Sequence, residues 1–172
     1  MTPPTAPPDT FGNGPQDDGP WNFALPRRQK VVLVMDLVES VRLMAANEAA
    51  VVQRWHSFVQ NARTHVLPQH HGRHVKSLGD GLLAEFDSAA EAVHAAQDLH
   101  HGFDDTNRQL PPSEQLYLRA GLNSAQVYVD NIDIYGAGVN LAARVAALAG
   151  PGETMVTSDV RETPPSCPLH NS

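Results

Sequence analysis

Asp36 closes the short apolar run Val31-Val32-Leu33-Val34-Met35, and Asp80 sits between two glycines in Gly79-Asp80-Gly81. Each has an ordinary explanation, since aspartate after a strand caps helices and Gly-Asp pairs make turns. Together they suggest more. If the first strand lies beside that turn, both carboxylates reach one sheet edge and can hold hard cations such as Mg²⁺. Two such ions a few ångströms apart stabilise the attacking and the leaving oxygen of a phosphoryl transfer. Lys76 lies four residues before Asp80, and Asp133 precedes Ile134-Tyr135-Gly136. Asn140 and Arg144 are four apart on an expected helix and share one face. That pair suits phosphate or ribose, because the planar guanidinium fork binds phosphate in bidentate fashion. Taken singly, these four also read as an edge lysine, a loop aspartate and a solvated helix stripe.

The elements that must position these groups follow from hydrophobic period. Residues 31–35 read as a buried central strand. Residues 48–66 carry Val51, Val52, Trp55, Val59, Ala62 and Val66 at helical spacing and stop at Pro68. Residues 74–78 and 82–86 read as a hairpin around Gly79-Asp80-Gly81. Residues 88–101 read as a helix with Ser88 as N-cap and Glu91 completing a capping box. A loop is expected over 107–114, strands over 116–122 and 126–129, a helix over 136–149 ended by Gly150-Pro151-Gly152, and a strand over 153–157. The order β-α-β-β-α-β-β-α-β predicts an α+β fold, a mixed sheet of the split βαβ, ferredoxin-like kind with helices packed on it.

Length and composition bound the rest. A chain of 172 residues with 41% apolar and 18% charged residues is expected to fold as one ordinary domain rather than remain disordered. Residues 1–29 hold seven of the fourteen prolines with Gly12, Gly14 and Gly19, so they read as a mobile arm, with Trp21 and Phe23 as sticky positions within it. Residues 30–160 form the expected domain, and 161–172 an irregular proline-containing tail. A net charge of −7 argues against binding a nucleic-acid polymer but permits a single nucleotide held through metal ions. No secretory signal or membrane-length apolar run is visible, and the one cysteine, Cys167, fits a reducing compartment, so a cytoplasmic location is expected. His70, His71 and His74 match no standard zinc spacing and read as surface residues.

The segments VLVMDLVES, HGRHVKSLGDGLLAEF and DIYGAGVNLAARV, in that order, resemble the class III nucleotidyl cyclase catalytic domain, with a third motif of the bacterial adenylate cyclase style. The resemblance runs over about 31–160 and implies a cyclase-type fold. It implies that Asp36 and Asp80 bind two Mg²⁺ or Mn²⁺ ions per site, and that Lys76 and Asp133 read adenine. It also implies that Asn140 positions the ribose and Arg144 steadies the transferred phosphate. The implied reaction is ATP to 3′,5′-cyclic AMP and pyrophosphate, at sites shared by a head-to-tail homodimer.

Two departures, with a minor exchange at Ala137 beside them, qualify that expectation. Where the family carries glycine, an aromatic residue and Ser/Thr after the first aspartate, this chain has Glu39, Ser40 and Val41. The exchange predicts weaker ATP binding or a shifted loop. Ala137 replaces a residue that is often acidic. The chain also stops soon after the 153–157 strand, which predicts an uncovered sheet edge. A degenerate or truncated domain serving as a dimerisation or regulatory module, and a guanylate cyclase, are the alternative readings.

Overall fold

A computed structural model describes residues 25–162. The expectations for Trp21, Phe23, Cys167 and most of both terminal segments lie outside these residues. The elements are β1 (Arg27–Leu37), α1 (Ser40–Asn61), α2 (Leu67–Gln69), β2 (Arg73–Ser77), β3 (Gly81–Phe86), α3 (Ala89–His100), α4 (Asp104–Arg108), β4 (Leu118–Val129), β5 (Ile134–Tyr135), α5 (Ala137–Leu148), β6 (Thr154–Val156) and α6 (Ser158–Glu162). Five strands run in the order β2-β3-β1-β4-β5 with antiparallel neighbours, and β6 joins β4 in parallel.

β1 is apolar on both faces because both are covered. Val31, Leu33, Met35 and Leu37 enter a core with Trp55 and Phe58 of α1 and Leu99 of α3, while Val32 and Val34 meet Ala142 and Ala146 of α5 on the other side. The α5 contact is backbone against backbone. A Cβ on Gly121 of β4 would stand 2.3 Å from the Ala146 nitrogen and 2.5 Å from the Ala142 oxygen, so only glycine admits the helix this closely.

The α+β expectation agrees with this architecture, and Ser88 caps α3 as expected, accepting from the Glu91 amide at 3.4 Å. Several boundaries differ. β1 begins at Arg27, inside the segment read as an arm, because residues 27–29 pair in turn with Tyr128, Val127 and Gln126 of β4. α1 starts at Ser40, eight residues earlier than the periodicity indicates, since Leu43 is the only buried residue before Val51. It breaks at Asn47 (φ −158°), whose side chain accepts from the Ala50 amide at 3.3 Å and so caps the second half where the sequence places the helix start. Pro68 does not end the helical path. A π-helical stretch over Ala62–Val66 widens the spiral ahead of it, which relieves the clash between a proline ring and the carbonyl four residues back. The expected strands at 116–122 and 126–129 are one strand. Asn123 does not interrupt it, because its buried amide donates to the Gly138 carbonyl at 2.9 Å and accepts from Thr157 at 2.9 Å. Helical turns occupy much of the expected 107–114 loop, and α6 carries residues 161 and 162 out of the expected irregular tail. β6 has β4 as its strand partner among the described residues.

Candidate functional site

The register of β1 and β3 places Asp36 opposite Gly81, and the Leu37 amide donates to the Asp80 carbonyl at 3.0 Å. The two acids are therefore neighbours at one end of the sheet. Gly81 permits this, since a Cβ there would lie 2.9 Å from the Met35 oxygen and 3.2 Å from Cβ of Asp36. The turn bearing Asp80 is held from below. The Trp55 indole donates to the Gly79 carbonyl at 3.1 Å, and Trp55 stacks on Phe58, which stacks on Phe103. Trp55 thus positions Asp80, a role its helical spacing alone presents as ordinary core packing.

Asp36 shares its strand face with Val32 and Val34, the face covered by α5. Directly opposite it on β4 stands Arg119, whose Nε donates to Asp36 Oδ1 at 2.7 Å, while Nη1 donates to the Ala147 carbonyl at 3.3 Å. That bond is the main cause of a guanidinium held above its ordinary range. The charges of Asp36 and Asp80 add to it, and burial opposes it. Sequence reading passed over Arg119, because an arginine in a strand next to apolar residues carries no motif of its own.

The donor set suits a hard divalent cation. Two carboxylates on rigid strand ends leave room for water or phosphate oxygens, the way Mg²⁺ is commonly held. Among the described residues no group of three or more His, Cys, Asp or Glu side chains is placed to hold a metal ion, so an ion at Asp36 and Asp80 would have these two carboxylates as its ligands from such side chains. Elsewhere, His70 is engaged by Asp98 at 2.6 Å and Glu91 at 3.2 Å, and His74 is half-buried, its imidazole pushed below the usual histidine range by desolvation, with the Arg63 charge adding.

Lys76 and Asp133 form an ion pair, Nζ to Oδ2, at 2.6 Å. They come from opposite ends of the strand order, one on β2 and the other just before β5, so the sheet must curl until its edges meet. Asp133 lies in a tight turn built on Asp130, whose carboxylate accepts from the Ile132 and Asp133 amides at 2.8 and 2.6 Å and from the Tyr135 hydroxyl at 3.0 Å. The two amide bonds chiefly hold Asp130 below the usual carboxylate range, and Asp130 in turn raises Tyr135.

Asn140 and Arg144 stand on the exposed stripe of α5, opposite Ala142 and Ala146, and neither side chain has a hydrogen bond or ion pair among the described residues. Leu148, one turn further along the same stripe, is 75% exposed, and Ile132 near the Asp133 turn is 77% exposed. The structure therefore joins Asp36 with Asp80 and Lys76 with Asp133, and presents Asn140 and Arg144 away from their own chain. Glu39, at the position expected to carry glycine, adopts φ 55° and ψ 33°, the left-handed conformation glycine favours, and its carboxylate accepts from Arg42 at 2.8 Å.

Residues 25–165 match the family model described as the adenylate and guanylate cyclase catalytic domain. A Rhizobium meliloti protein named "Putative adenylate cyclase 3" is 36% identical over 140 residues, covering 79% of this chain and 23% of its own length. The chain spans about a quarter to a third of the length of the curated relatives it matches over comparable stretches. An adenylate/guanylate cyclase/hydrolase from Silicibacter pomeroyi superimposes with a TM-score of 0.71 at 32% identity, over 79% of both chains. The guanylyl cyclase Cya2 does so with a TM-score of 0.71 at 25% identity, over 80% of this chain and 79% of its own. No helix among the described residues is long and apolar enough to cross a membrane. With the three motifs carried by one curled sheet and the helix α5 seated on it, and a family match over most of its length, the chain belongs to the adenylate and guanylate cyclase catalytic domain family.

Proposed function

We propose that this chain is an adenylate cyclase domain, converting ATP to 3′,5′-cyclic AMP and pyrophosphate at sites shared by a head-to-tail homodimer with two Mg²⁺ or Mn²⁺ ions in each. The Lys76–Asp133 pair carries the choice of purine. An ammonium donates to adenine N1, and a carboxylate accepts from the exocyclic amino group. Guanine presents a donor and an acceptor in the reverse places, which would leave both charged groups mismatched.

Asp36 and Asp80 supply the carboxylates for the divalent ions, which contribute positive charge that acidifies the ribose 3′-hydroxyl and offsets the phosphates. Asn140 orients the ribose. The 3′-oxygen then bonds to the α-phosphorus, the bond from that phosphorus to the oxygen bridging it to the β-phosphate breaks, and the hydroxyl proton leaves to solvent. Arg144 donates to the oxygens on which charge accumulates. Since Asn140 and Arg144 face away from the acids' own chain, a second copy is needed to complete each site, and the exposed Leu148 and Ile132 give it apolar surface to cover.

The test is cyclic nucleotide production by the purified chain with Mn²⁺ and either ATP or GTP. ATP turned over about tenfold faster or more supports the reading. Faster GTP turnover would favour the guanylate alternative that the likeness to Cya2 suggests. Metal-dependent turnover that survives Asp36→Ala would overturn the metal assignment.

A further inference from the structure

The hairpin that presents Lys76 carries a second charged device, on residues that the reading above does not use. β2 has a bulge between His74 and Lys76, with Arg73 opposite Glu85 and Lys76 opposite Leu83. The extra residue puts Arg73 and Lys76 on the same face of the sheet. Arg73 Nε donates to Glu85 Oε1 at 2.9 Å, and its Nη1 reaches across the curl to donate to the Asn131 carbonyl at 3.3 Å. Glu85 is 5% exposed, with Lys30 Nζ 3.8 Å away. Glu85 Oε2 and Arg73 Nη2 are buried without partners.

An ion pair with one buried partner is a weak stabilising device, since two well-packed apolar residues would hold the strands as firmly. An apolar pair could not grip the Asn131 carbonyl. Residues 130–134 are tied together internally by Asp130, but β5 joins the sheet through only two register pairs, Tyr128 with Tyr135 and Val129 with Ile134. Beyond the apolar burial of Ile134 with Leu83 and Val75, the polar contacts that tie the turn to the opposite edge among the described residues are those of Arg73 and the Lys76–Asp133 pair.

We propose that Arg73, anchored by buried Glu85, is a positioning residue that fixes the 130–134 turn so that Asp133 meets the purine beside Lys76. The inference rests on the reading of Lys76 and Asp133 as the base-reading pair. The guanidinium bonds the carboxylate through Nε and the carbonyl through Nη1, a span that the single nitrogen of an ammonium does not cover.

Arg73→Lys is the central variant, because its ammonium still compensates Glu85 while losing the two-ended reach. Amide hydrogen exchange over residues 131–134 should speed up by about tenfold, with β1 unchanged. KM for ATP should rise about fivefold to twentyfold with kcat nearly constant, and the preference for ATP over GTP should fall by a similar factor. The double variant Arg73→Met with Glu85→Leu removes the pair without stranding a buried charge, and should reproduce both effects. Wild-type exchange in Arg73→Lys would overturn the clasp. Faster exchange with unchanged KM and preference would reduce Arg73 to a structural role and overturn its positioning function. If the wild-type chain turns over neither nucleotide, the cyclase reading falls, and Arg73 is then judged by exchange and by the affinity of a fluorescent ATP analogue.

Discussion

Arg119 Nε donates to Asp36 Oδ1 at 2.7 Å from the position directly opposite on β4. A cation of the chain's own thus sits against one of the two carboxylates that would receive metal. Any divalent ion arriving at Asp36 competes with this contact, and the side chains are 34% and 27% exposed, so the pair is partly screened. Arg119→Gln should therefore bind Mn²⁺ about fivefold more tightly in the absence of nucleotide, equivalent to roughly 1 kcal/mol. Titration followed by the electron paramagnetic resonance of free Mn²⁺ measures this. Unchanged or weaker affinity would show that Arg119 does not hold the metal back.

A site divided between two chains has a signature in mixtures. Asp36→Ala and Arg144→Ala should each lose at least about a hundredfold in turnover, because the proposed mechanism has each group act where charge is handled. Mixed in equal amounts they should regain activity, since a heterodimer contains one intact site. Recovery of up to about a quarter of wild-type turnover is expected if chains pair at random. Absence of recovery, with dimers demonstrated by sedimentation, would place all six residues in one chain.

Glu39 holds a left-handed backbone at φ 55°. That conformation costs a non-glycine residue roughly 1–2 kcal/mol, and the exposed ion pair with Arg42 returns at most about 1 kcal/mol. Glu39→Gly should raise the melting temperature by about 2–4 °C for a domain of this size. It also removes a negative charge from the loop after Asp36, so KM for ATP should fall. A lower melting temperature would mean that the Arg42 contact outweighs the strain.

How far these features were legible before folding differs by residue. The pattern Val31 to Asp36, the Gly-Asp-Gly turn and the Ser88 cap are local signals, and they appear in place. The first half of α1 was not legible, since one buried leucine makes no periodicity. β4 reads as two strands because Asn123 looks like a breaker until Gly138 and Thr157 arrive to satisfy it. Arg119, Arg73 and Glu85 escaped notice for a common reason. Their meaning comes from which strand lies opposite and from the curl of the sheet, neither of which a linear pattern encodes. The pairing of Lys76 with Asp133, expected from resemblance, needs the same curl to exist.

His70 ties the end of α2 to α3 through Asp98 and Glu91 on α3, with the ring of His94 6.3 Å away and His71 Nδ1 3.8 Å from Glu91. The hydrogen bond to Asp98 chiefly raises its pKa above the ordinary 6.5, with Glu91 adding and burial opposing. A raised folded value means that the charged ring stabilises the fold fully below pH 6.5 and loses that contribution as pH climbs through the folded value. The melting-temperature difference between wild type and His70→Gln should therefore be largest near pH 5.5 and shrink toward pH 8.5. A difference independent of pH would refute the charge-based account.

The seating of α5 on Gly121 separates two kinds of constraint. Because the helix rests on Ala142 and Ala146 at backbone distance, its placement owes nothing to the identity of residues on its far side. Positions 140, 144 and 148 can be rewritten in evolution at little cost to folding, whereas a single added methyl at 121 would lift the whole helix. Folding thus places no demand on the outward stripe, and whatever limits residues 140, 144 and 148 must come from the chemistry proposed for them, while the seat beneath is limited by packing itself.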